Sequence, residues 1–254
     1  MSTDRRRFLR NALTAIGAGA LAGCDRLSQT DWAPNVLAKA ETLSHAVQRA
    51  LSRNALAREY GEADISPVFR ANGSTNPQTP EYVALAQDGF RDYRLKVGGL
   101  VAHPLSLSLE ELRALPPRTQ ITRHDCVEGW SVIGKWKGVQ LSRVLERAQP
   151  RQAARYVLFR CFDRMPGGGG GTPYYESIGF DDAWHPQTLL AYELNDRPLP
   201  IANGAPLRAR IERQLGYKQA KYISAIELVD SLDGIGGGKG GYWEDQGYEW
   251  YAGI

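Results

Sequence analysis

Arg123-His124-Asp125-Cys126-Val127-Glu128-Gly129-Trp130-Ser131, resuming as Trp136-Lys137-Gly138-Val139-Gln140-Leu141, is the chemically densest stretch of the chain. A cysteine two residues from a histidine admits three readings. On a strand, positions two apart share a face, so His124 could activate Cys126 as a nucleophile. Cys126 could instead be a metal thiolate, or a small apolar side chain in a core. No CxxC, no HExxH and no Cys/His cluster accompanies it, so a four-ligand zinc site cannot be closed. A lone thiolate therefore implies a metal whose other ligands come from a cofactor.

The N-terminus bears on how such a cofactor would be acquired. Arg5-Arg6-Arg7-Phe8-Leu9-Arg10 is a basic run, followed by the uncharged segment Asn11 to Leu21 and then Leu21-Ala22-Gly23-Cys24. A basic head, a short apolar middle and small residues before a cut make an export signal, too short to be a spanning helix. Paired arginines before Phe-Leu mark the twin-arginine route, which resembles a path for proteins that fold first, often around a cofactor. The ending looks like a lipobox that makes Cys24 a lipidated N-terminus. Asp25 after it resembles an inner-membrane retention signal. An ordinary cleavage site near an incidental cysteine is the alternative.

Over its 254 residues the chain carries a formal charge of +3. Four arginines of the signal less Asp4 account for that excess, so the mature chain is near neutral and offers no argument for nucleic acid. Hydrophobic residues at 43% and charged residues at 23% fit a soluble globular domain. If Cys24 is lipidated, Cys126 and Cys161 remain, and in an oxidising compartment two such cysteines often pair. Export in the folded state is the alternative, because it allows a thiolate to be committed to a metal first.

The organisation expected is a signal over 1–23, a tether over 24–33, an amphipathic helix over 34–60 and one domain over 61–254. Val36, Leu37, Ala40, Leu43, Val47, Ala50 and Leu51 give the helix its one-sided period. Gly61 to Pro80 reads as loop. A strand is expected around Tyr93 to Val97, with a turn at Gly98-Gly99. Ser108 with Glu111 forms a capping box opening a short helix through Leu115, stopped by Pro116-Pro117. Further strands are expected at Tyr156 to Phe162, Arg208 to Gln214 and Tyr222 to Val229, Ile121 to Cys126 leads out of another, Leu189 to Leu194 precedes an Asn195-Asp196 turn, and Leu141 to Ala148 is a helix. Gly167 to Gly171 is a connector or a gate over a pocket. The aromatic C-terminus from Gly236 to Ile254 packs back on the domain. Short strands mixed with short helices give an α+β fold, mostly β, without a doubly wound sheet.

Several motifs in one order resemble the sulfite-oxidase-like molybdopterin-dependent oxidoreductases. They are the opening stretch, Met165-Pro166-Gly167, Asp182-Ala183-Trp184-His185-Pro186, Leu199-Pro200, Asn203-Gly204-Ala205-Pro206-Leu207-Arg208 and Gly216-Tyr217-Lys218 to Lys221. The resemblance runs from about Phe69 to Asp230 and is closest to the single-domain branch with the periplasmic methionine-sulfoxide reductase catalytic subunit. It implies molybdenum-molybdopterin ligated by Cys126, with pterin or phosphate contacts from Asn72, Asn203, Arg208, Gln219, Ala220 and Lys221. Asn76 is a rival to Asn72. Cys161 stands where the family has a threonine near the cofactor. His124, Glu128 and Trp130 would shape or protonate a substrate pocket. Val-Glu-Gly follows Cys126 in place of an Arg-rich run suited to sulfite, so an anionic substrate is not implied. The resemblance also implies a small-molecule or protein-side-chain substrate and, by analogy, a membrane cytochrome b as redox partner. Two other classes compete: a cofactor-free lipoprotein binding module on the same fold, and a Cys-His hydrolase.

Overall fold

The computed structural model describes residues 55–166 and 171–254, together with Thr30, Trp32, Val36, Lys39, Ala40, Leu43 and Val47. The expected signal, Cys24, and Gly167 to Gly170 of the glycine loop lie outside the described residues. Contacts divide the chain into compact units at Met1–Arg53 and Asn54–Ile254. In the first unit, Trp32, Val36, Lys39, Ala40, Leu43 and Val47 are helical and exposed. The expected helix does not reach Tyr60. Ala55 to Tyr60 is extended: the Tyr60 amide donates to the Ile121 carbonyl at 2.9 Å and Glu59 bridges Thr122. The Gln187 side chain holds the backbone of Ala57 from both sides. These edge pairings satisfy the backbone groups that a continued helix would have used.

Two five-stranded sheets build the second unit. The first has the order β2 (Leu105–Ser108), β1 (Arg94–Gly99), β10 (Ile223–Val229), β5 (Tyr156–Met165), β6 (Thr172–Gly179), with only β1 and β10 parallel. The second has β3 (Pro117–Asp125), β4 (Ser131–Gln140), β7 (Leu189–Leu194) and β8 (Arg197–Pro198), with β9 (Arg208–Arg210) also on β7. The helices are short: α1 (Pro80–Gln87), α2 (Leu109–Arg113), α3 (Leu141–Ala148), α4 (Phe180–Ala183) and α5 (Tyr242–Asp245). The capping box at the start of α2 is formed, with the Glu111 amide donating to Ser108 Oγ at 3.1 Å and the Ser108 amide to Glu111 at 2.7 Å. Asn195 and Asp196 turn the chain between β7 and β8 in the left-handed region.

The main apolar core takes the inward faces of β1, β5 and β10 with α3. Strand β3 differs. Its buried positions are Gln120, Thr122 and His124, all polar. They are satisfied across the sheet: Gln120 Nε2 donates to Glu212 at 2.8 Å, and Arg210 meets both Thr122 and His124. This polar seam, rather than an apolar face, holds the end of β3 from which Cys126 emerges. Other elements also differ from the sequence reading. The expected strand from Arg208 to Gln214 stops at Arg210, because Ile211 to Gln214 turns (Gln214 N to Ile211 O, 3.0 Å). Strands β4 and β6 were not foreseen.

Candidate functional site

Strand β3 ends at Asp125, and the next four residues fold back on themselves. The Cys126 amide donates to the Trp130 carbonyl at 2.9 Å, and the Gly129 amide to the Cys126 carbonyl at 3.0 Å. Gly129 sits at φ +83°, a conformation that an L side chain rarely takes. The tight turn presents the Cys126 thiol, 8% exposed, to a cleft with about 730 Å3 of empty space. Asn72 Nδ2 lies 3.8 Å from its sulfur. The loop carrying Asn72 is pinned by Lys221 Nζ, which donates to the carbonyls of Asn72 (2.7 Å), Ala202 (3.3 Å) and Ser74, while the Tyr222 hydroxyl also reaches Ser74. Asn72, not Asn76, is therefore the loop asparagine at the thiol.

Cations dominate one wall of the cleft. Arg208 is 1% exposed, and its guanidinium lies 5.3 Å from the centre of the Trp136 ring. Its Nη1 donates to the Asn203 carbonyl at 3.1 Å, and its Nε has no partner. Among the described residues no carboxylate pairs with it. Arg210 behind it is paired with Glu212 at 2.6 Å. Burial, with Arg210 beside it, pulls the Arg208 pKa down to about 9. Burial and Arg208 together lower Lys221 to about 7. Asp163 lines the same cleft, buried, with Oδ1 unpartnered, and burial pushes its carboxyl up to about 7. Asn203 Nδ2 is also buried without a partner. A buried guanidinium without a counter-ion is costly. A ligand bearing an anion and hydrogen-bonding edges would satisfy these atoms together.

The sequence-derived residues divide. Asn72, Cys126, Glu128, Arg208, Gln219 and Lys221 line one cleft. Asn203 stands behind Arg208. Ala220 is fully buried, and its carbonyl accepts from the Ala209 amide at 2.8 Å, so it shapes the strand rather than the surface of the cleft. Cys161 is not among the lining residues. It packs against the main core, and burial pushes its thiol well above the usual range, with Asp163 and Glu176 adding to the shift. Neither cysteine forms a disulfide.

His124 departs from its expected role. The ladder runs on from His124–Val132 and Asp125–Ser131 to the Cys126–Trp130 bond, so the strand spacing holds, but His124 is not among the residues lining the cleft that Cys126 faces. The ring is fully buried, Nδ1 meets Arg210 at 3.1 Å, and a Cβ on Gly216 would sit 2.6 Å from its Cε1. Gly216 lines the cleft, so His124 lies beneath it. Burial, then Arg208 and Arg210, hold its pKa well below the usual value. It is thus a neutral structural ring rather than the base of a nucleophile pair. Glu128 is exposed at the mouth and accepts from Trp130 Nε1 at 2.8 Å. Sequence reasoning missed Asp163 and an aromatic set of Tyr174, Tyr217, Trp243 and Tyr248. Only the density of aromatics near the C-terminus hinted at the latter.

The donor set fits a cofactor that brings its own metal ligands. One cysteine sulfur faces the cleft, and among the described residues no three His, Cys, Asp or Glu side chains converge on a metal position. The unpaired Arg208 and the orphaned Asn203 and Asp163 atoms supply the anion and ring-edge contacts.

Comparison with known proteins gives a consistent picture. The family described as oxidoreductase molybdopterin binding domain matches residues 82–233. A protein of Azospira oryzae named "Putative protein-methionine-sulfoxide reductase subunit YedZ1" is 37% identical over 250 residues, 98% of this chain and 87% of that protein. The protein-methionine-sulfoxide reductase catalytic subunit MsrP of Xanthomonas axonopodis pv. citri is 42% identical over 147 residues, 55% of this chain and 46% of that protein. Among solved structures, the sulfane dehydrogenase SoxCD of Paracoccus pantotrophus matches at 20% identity and a TM-score of 0.48, over 56% of this chain and 39% of that one.

Proposed function

The chain belongs to the oxidoreductase molybdopterin-binding domain family, an enzyme using molybdenum-molybdopterin, and from that premise we propose that it is an exported sulfoxide reductase whose metal is held by Cys126. The observation that carries this is the cleft itself, where the free Cys126 sulfur and the buried Arg208 guanidinium, with no carboxylate partner among the described residues, share one cavity. The names of its relatives support a methionine sulfoxide, free or in a protein, as the oxidised substrate. The twin-arginine pattern and lipobox support delivery to the periplasmic side of the inner membrane with Cys24 lipidated. A membrane cytochrome b supplies the electrons in this reading.

When bound, the cofactor supplies a metal that takes up the oxo group and passes on electrons. The overall change consumes two electrons and two protons, converting a sulfoxide to a thioether and water. The rest falls to the chain. Cys126 offers a soft thiolate, which suits such a metal and loses its thiol proton on coordination. Arg208 presents a planar fork to phosphate oxygens and is kept in place by the Trp136 ring. Lys221 adds a second cation while its carbonyl acceptors lock the Asn72 loop over the thiol. Asp163, with its carboxyl near neutrality, holds a proton at Oδ1 or Oδ2 within the cleft. Glu128 stands at the mouth, where water and bulk protons reach it.

The test is molybdenum per protein in wild type and Cys126→Ser, each expressed with its own signal in a host that makes the cofactor. Near-stoichiometric metal in wild type, with a changed metal–sulfur absorption band and lost sulfoxide reduction in the variant, is the expected result. An unchanged absorption band in Cys126→Ser would remove the thiolate role. A well-folded exported wild type without metal would sink the proposal and favour the binding-module alternative.

A further inference from the structure

Beyond the cofactor contacts, the cleft has a second kind of wall. Trp243 and Tyr248 stack at 5.3 Å and 25°, and Tyr217 meets Tyr248 edge-on at 5.2 Å. Tyr242 continues the array from Trp243 to Tyr174, with centroids 5.2 and 5.9 Å apart. Tyr174, Tyr217, Trp243 and Tyr248 face the same cavity as Cys126, with Met165 and Val127. Tyr248 remains 40% exposed, and Val127 is also exposed. Trp243 and Tyr248 lie beyond the family match, which ends at residue 233.

These rings are not what fixes the C-terminal segment. Polar anchors do that. Glu244 is buried and paired with Lys218, which also meets Glu176 at 2.5 Å. Asp245 accepts from the Tyr175 hydroxyl and from the Gly237 amide at 2.8 Å. Trp250 Nε1 donates to Ser177 Oγ at 2.8 Å, and the Leu215 amide to the Ala252 carbonyl at 2.9 Å. With the backbone secured on both sides, Trp243 and Tyr248 are held as rigid faces whose remaining surface is turned to the cleft. Rigid aromatic faces bind apolar and sulfur-bearing groups at low entropic cost. The three rings bear no charge of their own, so they suit a neutral group better than an oxyanion.

We infer that Trp243, Tyr248 and Tyr217 form the substrate-specificity wall, taking the thioether-like methyl and aliphatic chain of a neutral sulfoxide and aiming its oxygen toward the Cys126 end of the cleft. This rests on the oxo-transfer reading above and adds to it which residues select the substrate. The C-terminal segment, through Trp243 and Tyr248, joins Tyr217 of the family domain in setting what chain the cleft accepts.

Equilibrium fluorescence titration tests it, using molybdenum-replete protein with two probes: N-acetyl-methionine sulfoxide methylamide and dimethyl sulfoxide, which lacks the aliphatic chain. Wild type is compared with Trp243→Phe and with Tyr248→Ala, a half-exposed position whose loss the fold tolerates. The longer probe should give a saturable signal in wild type that Trp243→Phe abolishes. Its Kd should weaken about tenfold in Tyr248→Ala, the value of one lost aromatic contact, and that of dimethyl sulfoxide by less, because only its methyl meets the wall. In turnover, the same variant should raise KM for the longer probe and leave kcat unchanged. A signal kept in Trp243→Phe, no saturable signal at all, or equal affinities in wild type and Tyr248→Ala would overturn the inference. Loss of turnover in wild type would overturn the oxo-transfer reading alone, because the titration does not depend on it.

Discussion

Arg208 is the residue at which stability and function pull apart most clearly. Its charge is buried beside Arg210 with no carboxylate of its own, which raises the free energy of the empty protein. Phosphate should raise the Tm of the cofactor-free wild type; Arg208→Met should leave that protein more stable, by about 1–3 kcal/mol, and abolish the rise. Arg208→Lys should not rescue that rise, since an ammonium has neither the fork nor the flat face that lies over Trp136. Differential scanning calorimetry with and without phosphate reads both outcomes. Lys221 adds a pH signature. Its folded pKa, about 7, lies below its unfolded value. The unfolded chain thus holds more protons above pH 7, and stability contributed here rises as pH climbs from about 7 toward 10. Lys221→Met should flatten that slope in the cofactor-free protein. Motif order brought Cys126, Arg208 and Lys221 forward, whereas Asn72 could not be told from Asn76 in the sequence and is singled out by its approach to the Cys126 sulfur. Asp163 was not legible, since its partners come from distant segments. His124 was set too near the chemistry because strand periodicity does not show that Arg210 and Gly216, from distant segments, close over its ring.

At the scale of elements, local signals were read well wherever the chemistry was local. The capping box of α2 and the left-handed turn between β7 and β8 both depend on residues within four positions of each other. The strand β4 escaped notice because Gly134 and Gly138 dilute its alternation. Those glycines are needed where a Cβ would lie 2.9 Å from Phe69 and 2.2 Å from the Leu190 carbonyl. The anchor of α5 was equally invisible, because Glu176, Lys218 and Glu244 sit far apart in sequence. Removing the cation from that buried group leaves two carboxylates facing each other without compensation. Lys218→Met should cost about 3–5 kcal/mol, a drop in Tm of roughly 10 °C for a domain of this size. Glu244→Gln should be milder, because Lys218 keeps Glu176. Thermal melts monitored by near-ultraviolet circular dichroism, sensitive to the stacked Trp243 and Tyr248, would separate loss of the anchor from global unfolding.

At the scale of the whole molecule, the export reading and the site reading make one joint demand. A cofactor inserted before export requires the domain to close around it in the cytoplasm, and the cleft has the means: the Asn72 loop and the C-terminal segment both wrap it through backbone and buried polar bonds. Arg5→Lys with Arg6→Lys should then trap a folded precursor inside the cell that already contains molybdenum. A precursor trapped without metal would show that loading follows export and would remove the reason for the twin-arginine route. Cys24→Ser separates anchoring from transport. Each buried CH2 contributes about 0.8 kcal/mol, so two or three acyl chains bind a membrane stably where one does not. From Cys24 onward the chain is near neutral in net charge, so no net positive charge adds to such anchoring. Cys24→Ser should accordingly move the protein from washed membranes to the soluble periplasmic fraction with its molybdenum content unchanged. Reduction of a small sulfoxide by an artificial donor should persist, while reduction driven by membrane electrons should fall, because the donor then has to be met from solution instead of along the bilayer. Retention of the variant on washed membranes would place the anchor elsewhere, and the exposed apolar positions Trp32, Val36, Leu43 and Val47 would be the next to change.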